Sequence, residues 1–285
     1  MKYNIGYIGE SSKFFEILQN SSRFNCKIVY CEKLRVTRDF EKSVANLLIP
    51  INDENHLETE ITQTLPKIDF FIMYSTSLII SQSLIDRYDF YNIHPGSLIT
   101  NRGRNPIVWS ILLGEVSTCL TLYKISQEID FGIIISEQFV DISCADTFSM
   151  LKNKLENKLL ACMNDLSMYL VGKKKAKFLH TKGIYRKKIS QNDYTIDIET
   201  DSLDTLMRKI NSQDTYNGAL LKVEDKFCYV TAIKNSVVAN MTNWLWGGGG
   251  VDNMPPQRYA KFCNKELIVV LDNITLYLDY KLVKQ

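Results

Sequence analysis

The sequence contains three histidines, and one of them stands where a general acid or base is useful. His56 lies in a polar helical stretch and His180 in a basic segment, so both are predicted to be solvated. His94 instead ends a strand-like run, residues 90–94, two positions after Asn92. Because side chains alternate along a strand, those of Asn92 and His94 lie on the same side of it. The Pro-Gly pair that follows ends the strand and directs both groups into a crevice beyond the sheet.

Asp130 is the third candidate group, and it stands at a predicted turn before the next strand. An amide, an imidazole and a carboxylate together suit the attack of an amine on a carbonyl carbon. Asn92 would donate a hydrogen bond to the developing oxyanion, an effect of about 10²–10³ in rate. His94 would accept the proton of the amine, worth roughly 10²–10⁴, while Asp130 orients the ring and stabilises an imidazolium. The alternative is that these side chains only satisfy the backbone groups of turns.

The elements that must position these groups alternate over the first 150 residues. Runs rich in Ile, Phe and Tyr predict strands at 3–8, 26–31, 45–50, 69–74, 90–94, 119–125 and 133–140. Helices are predicted after a Ser11 or Ser12 cap, at 54–65, 81–88, 106–114 with Asn105 as cap, and at 146–171 with Asp146 as cap. Alternation of this kind predicts an α/β fold with a mostly parallel sheet and helices on both faces. Ligands of such sheets bind beyond the carboxyl ends of the strands.

The texture of the sequence changes after the last of these helices. A basic connector covers residues 172–188, and the domain boundary is predicted near 180. One helix, 202–212, is then followed by short strand-like runs at 219–223, 227–233, 267–272 and 274–283. We therefore predict two domains, a catalytic one at 1–180 and a small β-rich one at 181–285, with an open barrel or sheet in the second. The glycine-rich tract 244–257 is predicted to be a long loop.

Composition excludes several classes of protein. The chain is 45% apolar and 23% charged with a net charge of +2, which is typical of a folded globular protein and too balanced to indicate a nucleic-acid binder. No apolar run approaches the roughly 20 residues of a membrane span, and the N-terminus has no signal peptide pattern. The seven cysteines are scattered without a Cys-x-x-Cys pair, so we expect reduced thiols, no zinc site and a cytoplasmic protein.

A longer pattern surrounds the three polar groups in residues 92–135. Its members, in chain order, are Asn92, His94, Ser97, Leu98, Arg102, Gly103, Pro106, Trp109, Gly114, Thr121, Asp130 and Gly132. This pattern resembles the 10-formyltetrahydrofolate-dependent formyltransferases. The sequence departs from the family at Ile99 and Thr100, where the loop usually reads Leu-Pro. The resemblance implies a Rossmann-like N-terminal domain, formyl transfer, and catalytic roles for Asn92, His94 and Asp130.

The resemblance extends over most of the chain. Residues 190–223 look like the family's segment after the linker, with Tyr216-Asn217-Gly218-Ala219 in place of Tyr-Pro-Gly-Ala. Residues 255–283 resemble the strands of its small C-terminal open-barrel (OB-like) domain. The family implies 10-formyltetrahydrofolate as co-substrate and no metal. It places donor contacts at Tyr74, Ser75, Thr76 and Asp130, although the loop residues among these could simply close the sheet.

The formyl acceptor must be inferred from the site, because a family fixes the donor and not the acceptor. Initiator methionyl-tRNA, an amino sugar on a nucleotide diphosphate, and glycinamide ribonucleotide are the candidates, and the length of the chain argues against the third. The basic connector favours tRNA, since eight Lys and Arg residues fall within 173–188. Such a run is also typical of a solvated face. The segments His-Pro-Gly and Asn-Arg-Gly resemble the corresponding segments of the sugar N-formyltransferases of lipopolysaccharide O-antigen biosynthesis.

We therefore predict a dTDP-linked 4-amino-4,6-dideoxy sugar as acceptor. Few cations suffice for a diphosphate, which arginine binds in bidentate fashion. The predicted contacts of the nucleotide sugar are Arg104, Asn105, Lys187, Arg208 and Tyr216. Trp244 and Trp246 would serve as a stacking platform, a dimer contact or a simple hydrophobic plug. Alternatives to this function are methionyl-tRNA formylation, hydrolysis of the formyl donor and a non-enzymatic folate or nucleotide binder; a homodimer is expected from the resemblance alone.

Overall fold

A computed structural model describes residues 2–63, 67–238, 257–263, 266–272 and 274–283. The chain divides into two compact units, each assembled from three segments. The first unit is Met1–Pro106, Ser117–Asp141 and Lys152–Lys187, and the second is Ile107–Val116, Ile142–Leu151 and Lys188–Gln285. The assignment of a catalytic role to 1–180 and of a separate smaller domain to 181–285 stays a prediction. Trp244 and Trp246 lie outside the described residues.

The first unit is built on a large sheet and a two-stranded ribbon. Its strands are β1 (Tyr3–Gly9), β2 (Phe24–Glu32), β3 (Leu48–Ile51), β4 (Phe70–Tyr74), β5 (Phe90–His94), β6 (Arg102–Gly103), β7 (Ser117–Ile125), β8 (Gly132–Asp141), β9 (Lys177–Phe178) and β10 (Tyr185–Arg186). The sheet has the order β3-β2-β1-β4-β5-β7-β8-β9, and the ribbon is β6-β10. Strands β1 to β5 pair in parallel, whereas β5-β7, β7-β8 and β8-β9 are antiparallel. The mostly parallel sheet is as predicted.

The helices begin close to their predicted positions, except for Arg38–Val44 and Leu159–Leu170, which were not predicted. They are α1 (Ser12–Gln19), α2 (Arg38–Val44), α3 (Glu54–Gln63), α4 (Gln82–Ile85), α5 (Pro106–Leu112), α6 (Phe148–Glu156), α7 (Leu159–Leu170) and α8 (Leu203–Asn211). Ser11 caps α1, since its Oγ accepts a hydrogen bond of 3.2 Å from the amide of Phe14. Among the described residues no helix is long and apolar enough to cross a membrane.

The core beneath β5 is aromatic and tightly packed. Phe71 of β4 stacks on Phe90 of β5 with ring centroids 4.9 Å apart, and every residue of β4 is buried. A central parallel strand that is apolar on both faces reads as a continuous hydrophobic run, as β4 does. This packing fixes the carboxyl ends of β4 and β5, where the candidate polar residues follow.

The single helix predicted at 146–171 is wrong, because two helices, α6 and α7, occupy this range. Between them the amide of Lys158 bonds to the carbonyl of Leu155, a tighter turn that interrupts the regular ladder. Asp146 was expected to cap the helix. It lies two residues before α6 and accepts a 2.8 Å hydrogen bond from the amide of Ser143.

The second unit contains a β-rich sheet. Its strands are β11 (Thr195–Ile196), β12 (Ala219–Val223), β13 (Lys226–Val238), β14 (Arg258–Cys263), β15 (Glu266–Leu271) and β16 (Ile274–Leu282), in the order β11-β12-β13-β16-β15-β14. Except for β11-β12, the pairs are antiparallel. Leu206 and Ile210 of α8 join a buried cluster with strand residues such as Val230. This arrangement confirms the predicted fold class, an α/β sheet with a separate β-rich part.

Candidate active site

The carboxyl end of β5 places Asn92 and His94 on one side of the strand. In the pairing of β5 with β7, Asn92 stands opposite Tyr123 and His94 opposite Thr121. Opposite residues of an antiparallel pair share a face of the sheet, so these four side chains form one polar group. His94 is 5% exposed. The hydroxyl of Thr121 donates a 2.8 Å hydrogen bond to the carbonyl of Gly96 and holds the turn that follows β5.

The contacts of the His94 ring decide which nitrogen can act as a base. Its Nε2 lies 2.9 Å from the carbonyl oxygen of Asn101, and a carbonyl oxygen only accepts. We therefore assign the proton of the neutral ring to Nε2. The lone pair is then on Nδ1, which faces Oδ1 of Asp130 at 3.6 Å. Asn101 is itself held by a 2.8 Å hydrogen bond from its Nδ2 to the carbonyl of Pro106.

Asp130 lies in the turn between β7 and β8 with a φ of 48°. Both of its carboxylate oxygens accept hydrogen bonds: Oδ1 from the hydroxyl of Tyr123 at 2.8 Å and Oδ2 from the amide of Gly103 at 2.8 Å. The structure thus brings the three predicted catalytic residues, Asn92, His94 and Asp130, together. Their roles in catalysis stay a prediction.

Tyr123 is the residue of this site that the sequence analysis missed. It is almost fully buried, and its hydroxyl accepts a 2.9 Å hydrogen bond from Nδ2 of Asn92. Burial raises the pKa of Tyr123 well above its ordinary value, and the charge of Asp130 raises it further. The signal that could have revealed it is the pairing of β5 with β7, which puts it opposite Asn92.

The loop after β4, predicted to contact the donor, is held by two acidic residues. Oγ of Ser75 donates to Glu10 at 3.1 Å, and Oγ1 of Thr76 donates to Glu32 at 3.3 Å. Glu32 also accepts 3.0 Å and 3.1 Å hydrogen bonds from the amide of Ser77 and from Arg35. Burial raises the pKa of Glu32, but the hydrogen bonds from Ser77 and Arg35 outweigh it and hold that pKa below its usual range.

A cavity of about 390 Å³ lies in the first unit beside this loop. Its lining carries both signs of charge and includes Glu10, Lys13, Arg35, Ser75, Lys152 and Glu156. Glu156 lies 3.7 Å from Lys13 and 3.8 Å from Lys152, and Tyr74 is buried below with its hydroxyl 3.5 Å from the same carboxylate. Burial, followed by the charge of Glu156, raises the pKa of Tyr74. Tyr74 is therefore a neutral hydroxyl that contacts a residue of the cavity wall.

The β6-β10 ribbon brings the backbones of two predicted substrate contacts, Arg104 and Lys187, close together. Gly103 pairs with Arg186, and the amide of Arg104 donates a 3.0 Å hydrogen bond to the Arg186 carbonyl. Because the amide of Gly103 also donates a hydrogen bond to Asp130, the ribbon is attached to this candidate catalytic carboxylate. Asn105, with a φ of 56°, comes directly before α5.

Arg208 and Tyr216, the other predicted contacts, belong to the second unit. The guanidinium of Arg208 lies against Gly114, so closely that a Cβ there would come within 2.4 Å of Cζ. Tyr216 is 50% exposed, and its ring lies 5.4 Å from that of Phe148. A part in acceptor binding stays a prediction for both.

The other candidates for chemistry have simple surroundings. His56 accepts a 3.2 Å hydrogen bond from the amide of Asn52 and lies 3.5 Å from Glu60 at the surface. His180 is exposed. Within the described ranges, no group of three or more His, Cys, Asp or Glu side chains is placed to hold a metal ion. The seven cysteines all lie in the described ranges, and none of them is in a disulfide.

Comparison with known proteins finds a match to one family over part of the chain. The formyl transferase family model matches residues 31–163, a range that contains Asn92, His94 and Asp130. A methionyl-tRNA formyltransferase of Thermotoga maritima is 28% identical over 215 residues, covering 70% of this chain and 67% of the relative. One of Kosmotoga olearia is 34% identical over 137 residues, covering 47% and 43%. The chain thus spans about half the length of several of the curated relatives that it matches.

Solved structures with the same fold cover more of the chain. HypX from Aquifex aeolicus in complex with tetrahydrofolic acid has a TM-score of 0.68 at 19% identity, covering 100% of this chain and 45% of that one. A 4-N formyltransferase from Francisella tularensis has a TM-score of 0.66 at 19% identity, with 78% and 93% covered. An N-formyltransferase from Helicobacter canadensis, in complex with folinic acid and dTDP-3-aminofucose, has a TM-score of 0.65 at 13% identity, with 99% and 100% covered.

The family match and the curated relatives indicate a formyl-transferring enzyme. Residues 31–163 of the chain match the formyl transferase family. The predicted family and the predicted class of enzyme are thereby confirmed.

Proposed function

We propose that this protein transfers the formyl group of 10-formyltetrahydrofolate to the amine of a nucleotide-linked amino sugar, of the dTDP-4-amino-4,6-dideoxy type. The observation that carries the proposal is the grouping of Asn92, His94 and Asp130 at the carboxyl end of β5. The folate and nucleotide-sugar complexes among the proteins of the same fold support the choice of both substrates.

Attack begins when the amine nitrogen forms a bond to the formyl carbon. The formyl oxygen then gains negative charge, and Asn92 stabilises it through an amide N–H. Nδ2 carries two hydrogens, and one of them is used by Tyr123, so the other is available to the substrate. A fixed donor of this kind contributes about 10²–10³ in rate.

His94 takes the proton that the attacking amine must lose. Its Nδ1 is the basic nitrogen, since Nε2 donates to Asn101. The Asp130 carboxylate, 3.6 Å away, stabilises the imidazolium that results. When the bond from the formyl carbon to N10 of the folate breaks, the proton passes to that nitrogen and His94 becomes neutral again. The products are a formamide and tetrahydrofolate.

The folate is proposed to contact the loop formed by Tyr74, Ser75 and Thr76. This loop follows the carboxyl end of β4, the neighbour of β5, and parallel sheets bind ligands at that edge. Glu10 and Glu32 hold its hydroxyl groups. The loop therefore reaches the donor in a preset conformation, which lowers the entropy lost on binding.

The charges of the basic connector favour a small acceptor over a polynucleotide. Three of its lysines are paired with carboxylates: Lys174 with Asp165 at 2.8 Å, Lys177 with Glu137 at 3.8 Å and Lys182 with Glu128 at 2.7 Å. Paired cations release fewer counterions to a nucleic acid. The ribbon instead brings the backbones of Arg104 and Lys187, which directly follow its two strands, close together, and two cations are enough for a diphosphate.

Methionyl-tRNA is the second candidate acceptor, because curated relatives of this chain are methionyl-tRNA formyltransferases. Two assays separate the candidates. In the first, formyl transfer is measured with thymidine-, uridine- and guanosine-linked amino sugars and with methionyl-tRNA. In the second, tRNA binding is titrated on filters at several salt concentrations. Turnover of a sugar without tight tRNA binding supports the proposal, and strongly salt-dependent tRNA binding with tRNA formylation overturns it.

Two further outcomes concern the remaining alternatives. Release of formate without any acceptor would reveal a hydrolase. Donor binding without turnover of any acceptor or water would indicate a non-enzymatic binder. The homodimer is retained as a proposal from the family resemblance, and analytical ultracentrifugation of the purified protein tests it directly.

A further inference from the structure

Tyr123 connects two of the catalytic groups that the sequence places 38 residues apart. Its hydroxyl lies 2.9 Å from Nδ2 of Asn92 and 2.8 Å from Oδ1 of Asp130. The side chain is 1% exposed on β7, so water does not compete for these bonds. Two hydrogen bonds to residues of the site fix the position of this hydroxyl more closely than packing of the ring alone would.

The number of protons available determines the direction of the two hydrogen bonds that link Asn92, Tyr123 and Asp130. Burial and then the Asp130 charge raise the pKa of Tyr123 well above its ordinary value, so the hydroxyl keeps its one proton. An ionised carboxylate only accepts, so that proton goes to Asp130. The oxygen of Tyr123 can then only accept from Asn92, which must present its NH₂ group and not its carbonyl oxygen.

We propose that Tyr123 is a positioning residue of formyl transfer, whose hydroxyl selects the amide orientation of Asn92 and keeps Oδ1 of Asp130 from bonding directly to His94. This inference rests on the proposed function. It assigns Tyr123 no contact with the substrates. The Tyr123 hydroxyl instead determines the direction of the Asn92 amide N–H. It also determines how strongly the Asp130 carboxylate stabilises the imidazolium form of His94.

Three other described groups lie around the Asp130 carboxylate. His94 faces Oδ1 at 3.6 Å, the amide of Gly103 donates to Oδ2, and the positive charge of Arg102 lies nearby, with its guanidinium bonded at 2.9 Å to the carbonyl of Ile129. Without the tyrosine hydroxyl, Oδ1 loses a donor. The donor nearest in reach is then Nδ1–H of a protonated His94. Removal of the Tyr123 hydroxyl must therefore favour the imidazolium form of His94.

Tyr123→Phe tests this inference, with Tyr30→Phe as the matched control. Tyr30 is fully buried in β2 of the same sheet, and its hydroxyl has no hydrogen-bond partner among the described residues. For Tyr123→Phe we expect kcat to fall about tenfold or more, since a donor to the oxyanion is misaligned, with KM for the folate within about twofold. The acidic limb of the kcat/KM profile moves to higher pH, because neutral His94 is the base. Tyr30→Phe leaves kcat and the pH profile unchanged.

A second variant reverses the sign of the change. Replacing Tyr123 by 3-fluorotyrosine strengthens the donor to Asp130 at nearly constant size, so the acidic limb moves to lower pH. A measurement independent of turnover is the ¹⁵N NMR spectrum of the His94 ring, which reports the imidazolium fraction at one pH. That fraction rises in Tyr123→Phe relative to the wild type and to Tyr30→Phe.

The inference is overturned when Tyr123→Phe matches Tyr30→Phe in kcat, in the pH profile and in the ring spectrum. It is also overturned when the fluorotyrosine and phenylalanine variants move the limb in the same direction. A wild-type protein that transfers formyl to no acceptor contradicts the proposed function instead, and the ring spectra then still decide whether Tyr123 controls His94.

Discussion

The backbone amide of Gly103 donates a 2.8 Å hydrogen bond to Oδ2 of Asp130, which lies 27 positions later in the chain. Gly103 belongs to β6, and its partner in the ribbon is Arg186 of β10. Gly103 thus attaches the β6-β10 ribbon to the proposed catalytic carboxylate of Asp130. A displacement of the ribbon would change both the cations and the orientation of Asp130.

Gly103→Ala is expected to reduce both stability and turnover. Gly103 has a φ of 94°, and a Cβ there would lie 2.4 Å from the carbonyl oxygen of Arg186, so the backbone must shift. We expect a loss of about 1–3 kcal/mol from the backbone conformation, together with a decrease in kcat. Thermal unfolding and steady-state kinetics measure the two effects.

Gly172→Ala separates strain from the loss of this contact. Gly172 has a φ of 73°, but no atom lies within 4 Å of an added Cβ. The substitution therefore costs about 1–2 kcal/mol for the left-handed conformation and leaves kcat unchanged. Equal kcat values for Gly103→Ala and Gly172→Ala would show that the ribbon does not orient Asp130.

His94→Ala is expected to lower kcat by about 10²–10⁴, because it removes the proposed base. Asn92→Ala removes the oxyanion donor and is expected to lower kcat by about 10²–10³. Circular dichroism verifies that the variants are folded. His56→Ala is the control, since His56 is paired with Glu60 at the surface and should retain full activity. A His94→Ala protein with wild-type turnover contradicts the mechanism.

Glu32→Gln is expected to loosen the loop after β4 and to weaken tetrahydrofolate binding. The carboxylate accepts hydrogen bonds from Thr76, Ser77 and Arg35, and a neutral amide replaces them poorly. Isothermal titration calorimetry measures the affinity. Glu58→Gln is the control: it weakens the hydrogen bond that Ser83 of α4 donates to Glu58 of α3, and we expect the affinity to stay within about twofold. An unchanged affinity in Glu32→Gln would exclude the loop as donor site.

The same carboxylate gives a pH dependence whose sign is determined. The pKa of Glu32 is lower in the folded protein than its ordinary value of 4.5, so its ionised form stabilises the fold. This contribution is complete above that ordinary value and is lost as the pH falls through the lower folded value. The difference in Tm between wild type and Glu32→Gln should therefore be constant from neutral pH to about 5 and vanish in more acidic solution. A difference that grows on acidification would contradict the assignment.

Arg104→Ala combined with Lys187→Ala is expected to raise KM for the nucleotide sugar about tenfold or more, because two cations near a diphosphate are lost. The KM for the folate should change little. Lys182→Ala is the control, since Lys182 is exposed and paired with Glu128 at 2.7 Å. Initial rates against sugar concentration decide the outcome. Equal effects of the double variant and of Lys182→Ala would place the diphosphate elsewhere.

Local patterns in the sequence predicted most of the elements that hold the site. The strands at 69–74 and 90–94 and the Ser11 cap are observed within one or two residues of their predicted positions. Apolar periodicity and cap residues act over a few positions, which is why they can be read directly. The helix predicted at 146–171 failed because its leucine spacing continues across a turn that has no Pro or Gly to mark it.

What the sequence by itself determined is the set of chemical groups and the family: an amide and an imidazole two positions apart on a strand, a carboxylate in a turn, and the motif around them. The tertiary structure alone decided which atoms meet. Tyr123 reaches Asn92 from 31 positions away, and the Asn101 carbonyl sets the His94 tautomer. Such contacts depend on strand register and on turn conformation, which a one-residue shift would reverse. The spacing of residues in the sequence does not predict that register.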